Sequence, residues 1–224
     1  LPRPLPEFGE DDHALKTLAE HHFPTVLMGS LPGNSFHSVD IDNIQAAKKA
    51  TQHLISLGHS RIACITNAKP GFTAAADRLK GYRLALAQNN IQADDRLIRF
   101  GDFDPESGYR AMHGLLSVQP RPSAVFVASD VVAFGAISAI HQAGLLIPAD
   151  IAVVGFDDVP LSAFFQPQLT TIHLPIADLA QTGGEMLIQL IHNQKPTHNN
   201  ILLDTHLVIR ASCGAPRPKP LQHS

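Results

Sequence analysis

Apolar and polar positions follow two rhythms along this chain. Short runs such as "RIACIT", "SAVFVA" and "IAVVGF" are almost continuously apolar. Runs of that kind, bounded by polar turns, read as strands buried on both faces. Between them lie longer stretches with apolar positions at helical spacing. Two examples are "NIQAAKKATQHLISLG", which stops at Gly58, and "DVVAFGAISAIHQAG", which stops at Gly144. Read from end to end, the pattern predicts helices over 11–22 (with Asp12 as its cap), 43–58, 78–90, 105–117, 130–144 and 176–193. Strands are predicted over 24–29, 38–42, 61–66, 96–103, 123–129, 150–158, 169–175 and 200–210, the last broken near Asp204. The proline-rich ends, "LPRPLP" and "APRPKP", read as extended tails. Strands alternating with helices give an α/β fold with parallel sheets flanked by helices.

In such folds ligands sit beyond the carboxyl ends of the strands, so the residues just past each strand are the candidates for a site. "SVDID" ends at Asn43 with Asp40 and Asp42 beside it. "RIACIT" leads into the loop "NAKPGFTAAAD", which ends at Arg78. Phe103 follows "RLIRFGD", Ser129 and Asp130 follow "SAVFVA", and Asp157 and Asp158 follow "IAVVGF". Carboxylates accept from hydroxyls, a guanidinium donates through a planar fork, and Phe103 or Phe156 offers an apolar face. That set suits a small polyhydroxylated or nitrogenous molecule. Asp157, directly after a buried strand, needs a donor and reads as a ligand acceptor. Asp158, before Val-Pro, reads as a turn-former. Asp130 reads as a helix cap, a ligand group, or both.

Bulk composition removes several classes. The chain has 224 residues, 44% hydrophobic and 17% charged, with a net charge of −3. This is globular composition without the basic footprint that nucleic-acid binding by charge requires. No apolar run is long enough to cross a membrane, and the N-terminal stretch lacks the apolar core of a signal peptide. Cys64 and Cys213 are too few for a disulfide framework, and the 13 histidines show no metal-ligand spacing. Neither a metal site nor a cofactor is expected. No nucleophile elbow, Walker loop or dinucleotide fingerprint occurs, so the chain reads as a binder rather than an enzyme. These features point to a cytoplasmic protein.

Several longer stretches carry a resemblance. "VDIDN", "HLISLGHSRIACI", "RLKGYRLAL", "GDFDPESGYRAM", "PSAVFVASDVVAFGAISAIHQAGLLIPADIAVVGFDDVPL" and "PQLTTIHLP" occur in an order and spacing that resembles the LacI/GalR family of bacterial transcription regulators. The resembling region is their effector-binding domain, similar to type I periplasmic sugar-binding proteins. The resemblance implies two Rossmann-like lobes joined by crossovers. One would comprise residues 1–42 and 174–203, the other 43–173 and 204–212, with 213–224 as a tail. It implies a cleft binding an effector, sugar or purine-like, through Arg78, Asp157, Phe103, Ser129, Asp130, Asp42 and Phe72. Phe72 and Ala74 are apolar where some members carry polar contacts, so that part of the contact set is not reproduced. It also implies a homodimer through Val131, Leu161 and Phe165. Operator DNA would be read by a helix-turn-helix absent from this chain, which also lacks the start of the N-terminal lobe. A periplasmic sugar-binding protein of a transporter is the alternative on the same fold.

Overall fold

The computed structural model describes residues 13–31, 33 and 35–215. The expected tail at the N-terminus and the Asp12 cap lie outside those residues, as does nearly all of "APRPKP". Two sheets organise the described chain. The smaller has three parallel strands in the order β1 (Val26–Met28), β2 (His37–Ile41) and β8 (Asn200–Leu203). The larger has six, in the order β4 (Ile98–Phe100), β3 (Ile62–Thr66), β5 (Ala124–Val127), β6 (Ala152–Asp157), β7 (Thr170–His173) and β9 (His206–Val208). Only β9 runs antiparallel within it. The chain passes between the sheets three times: after β2, after β7 and after β8. The break expected near Asp204 is the third passage.

Helices cover both faces of the larger sheet. On one face lie α2 (Asn43–Ser56) and α3 (Thr73–Gln88), on the other α4 (Pro105–Leu116) and α5 (Asp130–Gln142). Strands β3 and β5 are buried along their whole length, the physical meaning of their unbroken apolar runs. Two hydrophobic clusters result. Leu54, Tyr82, Phe126 and Phe156 belong to the α2/α3 side, and Met112, Leu115, Ile137 and Ile140 to the α4/α5 side. The latter two helices cross closely because Gly108 and Gly135 lack side chains. A Cβ at Gly135 would stand 1.7 Å from the Pro105 carbonyl oxygen. Helix α6 (Ile176–Ile191) packs on β1 and β2, and a short α1 (His13–Glu20) precedes β1.

Two boundaries differ from the sequence reading. Helix α3 starts at Thr73, five residues before the expected start, because the three alanines of "TAAAD" are the best helix formers and carry the helix back through that stretch. Arg78 therefore stands inside the helix rather than at its first position. The folded body also reaches into the stretch expected to be a tail. Cys213 is buried, with its Sγ 3.3 Å from His53 Nε2.

Candidate functional site

Arg78 is the centre of the site. Its position on α3 brings a guanidinium under the carboxyl ends of β5 and β6, where it is 8% exposed. Nε donates to Asn43 Oδ1 at 2.9 Å and Nη1 to the Ala128 carbonyl at 2.7 Å. Nη1 also pairs with Asp157 Oδ1 at 3.5 Å. The guanidinium carbon lies 3.7 Å above the Phe156 ring, a cation–π contact. Burial pulls the Arg78 pKa down, while Asp157 and Asp40 pull the other way. An arginine keeps its charge under these conditions, so the cleft holds a fixed cation.

Asp157 answers it from the end of β6. Its backbone has φ +114°, and the next residue, Asp158, has φ +56°. Non-glycine residues in this region are strained and persist where surrounding contacts impose them. Here the Asp157 carboxylate accepts from the Ser129 hydroxyl and from the Asp130 N–H at the start of α5. Burial raises its pKa, against the pull of Arg78 and these donors. Ser129 thus touches the site through Asp157. Phe103 is strained in the same way, at φ +59°, yet 42% exposed and edge-on to Phe72 with ring centroids 5.2 Å apart.

Three recesses adjoin here. A cavity of about 230 Å³ spans both sheets, lined by Met28–Ser30, Asp40, Asn43, Ala74 and Arg78 among others. A second, of about 350 Å³, shares Met28, Gly29, Ser30 and Ala74 with the first and adds Asn67, Phe72 and Phe103. A third, of about 430 Å³, meets the first at Leu174 and is lined by Asp157, His173 and Asp178. Arg78, Phe72 with Phe103, and Asp157 each stand on the wall of one of these recesses, the first, second and third respectively.

Asp42 and Asp130 do not. Asp42 is exposed and caps α2 by accepting from Gln45 N–H at 2.9 Å. Its neighbours Asp40 and Asn43 line the cleft instead. Alternation along β2 sends 40 and 42 to one side, but the helix start then takes Asp42 away. Asp130 occupies the first turn of α5 without capping it and is wholly buried. Oδ1 accepts from Thr171 Oγ1 at 2.6 Å, and Oδ2 from Ser162 Oγ at 2.7 Å and Val159 N–H at 3.1 Å. Gly155 makes room for it, since a Cβ there would lie 2.2 Å from Asp130 Oδ1. All its acceptor contacts serve the protein. It positions the turn that carries Asp157 and offers nothing to a ligand.

Asp158 is not simply a turn-former either. Oδ1 accepts from Arg210 Nη2 at 2.6 Å and Oδ2 from His173 Nδ1 at 2.9 Å, tying β6 to β7 and to the chain after β9. Asp158→Ala is expected to lower unfolding stability by about 1–3 kcal/mol, because Arg210 loses a charged partner in a part-buried place. The same change should cost much less ligand affinity than Asp157→Ala, a contrast that denaturation and titration measure side by side. Among the described residues no group of histidine, cysteine and carboxylate side chains could hold a metal ion. No helix among them is long and apolar enough to cross a membrane.

Comparison with known proteins places this geometry. A profile described as "Periplasmic binding protein-like domain" matches residues 51–213. The ribose operon repressor of Escherichia coli K12 is 40% identical over 190 residues, covering 84% of this chain and 57% of its own length. The solved structure of a transcriptional regulator CelR–cellobiose complex superposes with a TM-score of 0.86 at 35% identity, covering 92% of this chain and 63% of that one. A regulatory protein of the LacI family from Chloroflexus aggregans gives a TM-score of 0.85 at 32% identity, covering 92% and 74%. The chain spans about 60% of the length of the curated relatives it matches.

Proposed function

The chain belongs to the LacI family of transcriptional regulators through its periplasmic binding protein-like domain, and from that premise we propose that it is the effector-sensing part of such a regulator. The observation that carries this reading is the Arg78–Asp157 pair, with Arg78 buried on the wall of a recess between the two sheets and Asp157 part-buried on the wall of the adjoining one. A sugar is the effector class best matched. Arg78 donates to ring hydroxyls, Asp157 and Asp40 accept from them, and Phe103 covers an apolar ring face. In this reading the described residues between 13 and 42 and those of 174–203 form one lobe, and 43–173 and 204–212 form the other. An effector touching both favours the closed arrangement to the extent that it binds that arrangement better. In the full-length protein closure would alter operator affinity, a reciprocal coupling of typically about 1–3 kcal/mol.

The regulator acts as a homodimer in this reading, through the face carrying Val131, Leu161 and Phe165. Support comes from the short turn Pro160–Ala163 and the residues after it. Leu161 and Phe164 stand exposed there, and Phe165 stacks on Phe134 with centroids 4.7 Å apart. Apolar side chains grouped at a surface in this way mark an interaction face.

A thermal-shift screen of the purified chain against sugars, sugar phosphates, nucleosides and purines tests the effector reading. A sugar at a hundredfold excess over its Kd is expected to add about 2.7 kcal/mol of stability and raise the melt. A cooperative melt that no sugar moves, and that a nucleoside or purine does move, would overturn the sugar assignment.

A further inference from the structure

Two of the three passages between the sheets leave from a pair of histidines. His173 is the last residue of β7 and His206 the first of β9, and the antiparallel register sets them opposite each other. Their rings form a tilted stack, with centroids 4.8 Å apart and planes at 34°. The passage to α6 begins directly after His173, and the passage from β8 ends directly before His206. The pair therefore stands where the chain bends when the two sheets move relative to each other. His173 Nδ1 lies 2.9 Å from Asp158 Oδ2, and Asp158 Oδ1 accepts from Arg210 Nη2 at 2.6 Å. On α2, Lys49 Nζ donates to the Thr205 carbonyl at 2.6 Å, which ties the third passage to the larger sheet's side. The other charged or titratable groups around the pair are few. Asp157 is the register partner of His173 on β6 and pairs with Arg78. His53 on α2 is held at Cys213. Asp204 lies two residues before His206, and Asp178 on α6 shares the third recess with His173; both are exposed. The carboxylate in contact with the pair is thus Asp158, and Arg210 already balances it.

We propose that the His173–His206 stack is a proton-operated hinge: neutral rings hold the second and third passages side by side, and protonation of both drives them apart and favours the open arrangement of the lobes. Histidine is the side chain that changes charge between about pH 5 and 8. With both rings neutral, Asp158 and Arg210 cancel. With both charged, three cations surround one carboxylate, and two of them repel each other at stacking distance. The ends of β7 and β9 then spread, and with them the two passages that must stay packed for the lobes to close. Histidine clusters switch interfaces in this way where the element they bias has two arrangements. The proposal rests on the two-lobe part of the effector reading and adds an input that needs no effector. Protons and effector would act on one open–closed equilibrium from opposite sides.

The test is the distance between the lobes, measured without ligand by pulsed electron resonance between two spin labels. The labels go on Lys69→Cys, in the loop after β3, and Ala180→Cys, on α6; both positions are exposed, whereas the native Cys64 and Cys213 are buried. The labelled chain is diluted with unlabelled chain and frozen from buffers between about pH 5 and about pH 8, after a cooperative melt is confirmed at each pH. The mean distance is expected to be several ångströms longer at the acid end, with its midpoint inside the histidine range. His206→Phe keeps a ring in the stack and cannot take a proton. It should hold the distance seen at the alkaline end at every pH. His206 is exposed, so His206→Gln serves equally if the phenylalanine variant does not fold. His113→Asn removes a histidine that stacks on Tyr109 in α4 and should respond as the wild type does. A wild-type distance that does not change with pH would overturn the proposal. So would a pH response in the His206 variants equal to that of the wild type, which would place the proton elsewhere. Either result leaves the sugar reading standing, because the ligand screen tests that separately.

Discussion

Arg78→Leu is expected to cost about 3–5 kcal/mol of folding stability and to remove measurable effector binding. The size of the stability loss follows from what the substitution leaves behind. Arg78 is held by Asn43, Ala128, Asp157 and the Phe156 ring. Leucine replaces only the apolar contact. Asp157, its side chain 19% exposed, then remains beside Asp130 without its cation, and breaking a largely buried pair from one side costs far more than the pair itself contributes. Burial already raises the Asp157 pKa with Arg78 present, so without it the carboxyl should protonate at still higher pH. A double-mutant cycle separates the terms. Adding Asp157→Asn to Arg78→Leu should restore about 1–3 kcal/mol, since the two residues are in contact and their effects do not add. Arg78→Lys should recover part of the stability and little of the affinity, because an ammonium cannot reproduce the fork that reaches Asn43 and Ala128 together. Urea unfolding and calorimetric titration of the wild type, Arg78→Leu, Asp157→Asn, the double variant and Arg78→Lys decide it. If the double variant were no more stable than Arg78→Leu alone, the stranded charge would not be the cause.

The parts of this site that the sequence revealed are those whose signal is local. A polar residue directly after a buried apolar run, in a fold with parallel strands, lies at the cleft end of the sheet. That rule singled out Asp157 and Phe103, and also Arg78 as the end of the loop after β3. The residues that misled are those whose partners come from far along the chain. Asp130 looks like a cap because it sits at a helix start. Its donors, Ser162 and Thr171, follow 32 and 41 residues later, and nothing near Asp130 announces them. Asp158 looks like a turn residue because Val-Pro follows, while its cation, Arg210, is 52 residues away. Asp42 and Asp40 differ only in which of them the start of α2 claims, a distinction finer than boundaries read from periodicity. The fold was more legible than the site for the same reason. Unbroken apolar strands and capped helices are local, and their order alone imposes the parallel arrangement.

Asp130 gives the second large effect, and its pH dependence tests the assignment. Burial pushes its carboxyl up to about 6, in spite of hydrogen bonds from Ser162, Thr171 and Val159. The ordinary aspartate value is about 3.9, so the folded protein holds this proton more tightly than the unfolded chain. The resulting stabilisation is complete below about pH 4 and is lost as pH rises through about 6, a swing on the order of 3 kcal/mol. Asp130→Ala leaves two hydroxyls and one N–H without their acceptor in a dry place, and is expected to cost about 3–5 kcal/mol at pH 5. Asp130→Asn keeps the shape, does not titrate and meets the Val159 N–H less well. Its deficit relative to the wild type should therefore shrink steadily from pH 4 to pH 7. A deficit independent of pH over that range would mean that Asp130 does not exchange a proton in the folded state. The same two variants report on the site. Because Asp130 holds the Val159–Ser162 turn next to Asp157 and its backbone N–H faces the Asp157 carboxylate, Asp130→Ala should weaken effector binding together with stability. Asp130→Asn, which leaves the backbone in place, should retain effector affinity at pH 7 to within about threefold, less than the change that one lost hydrogen bond typically produces.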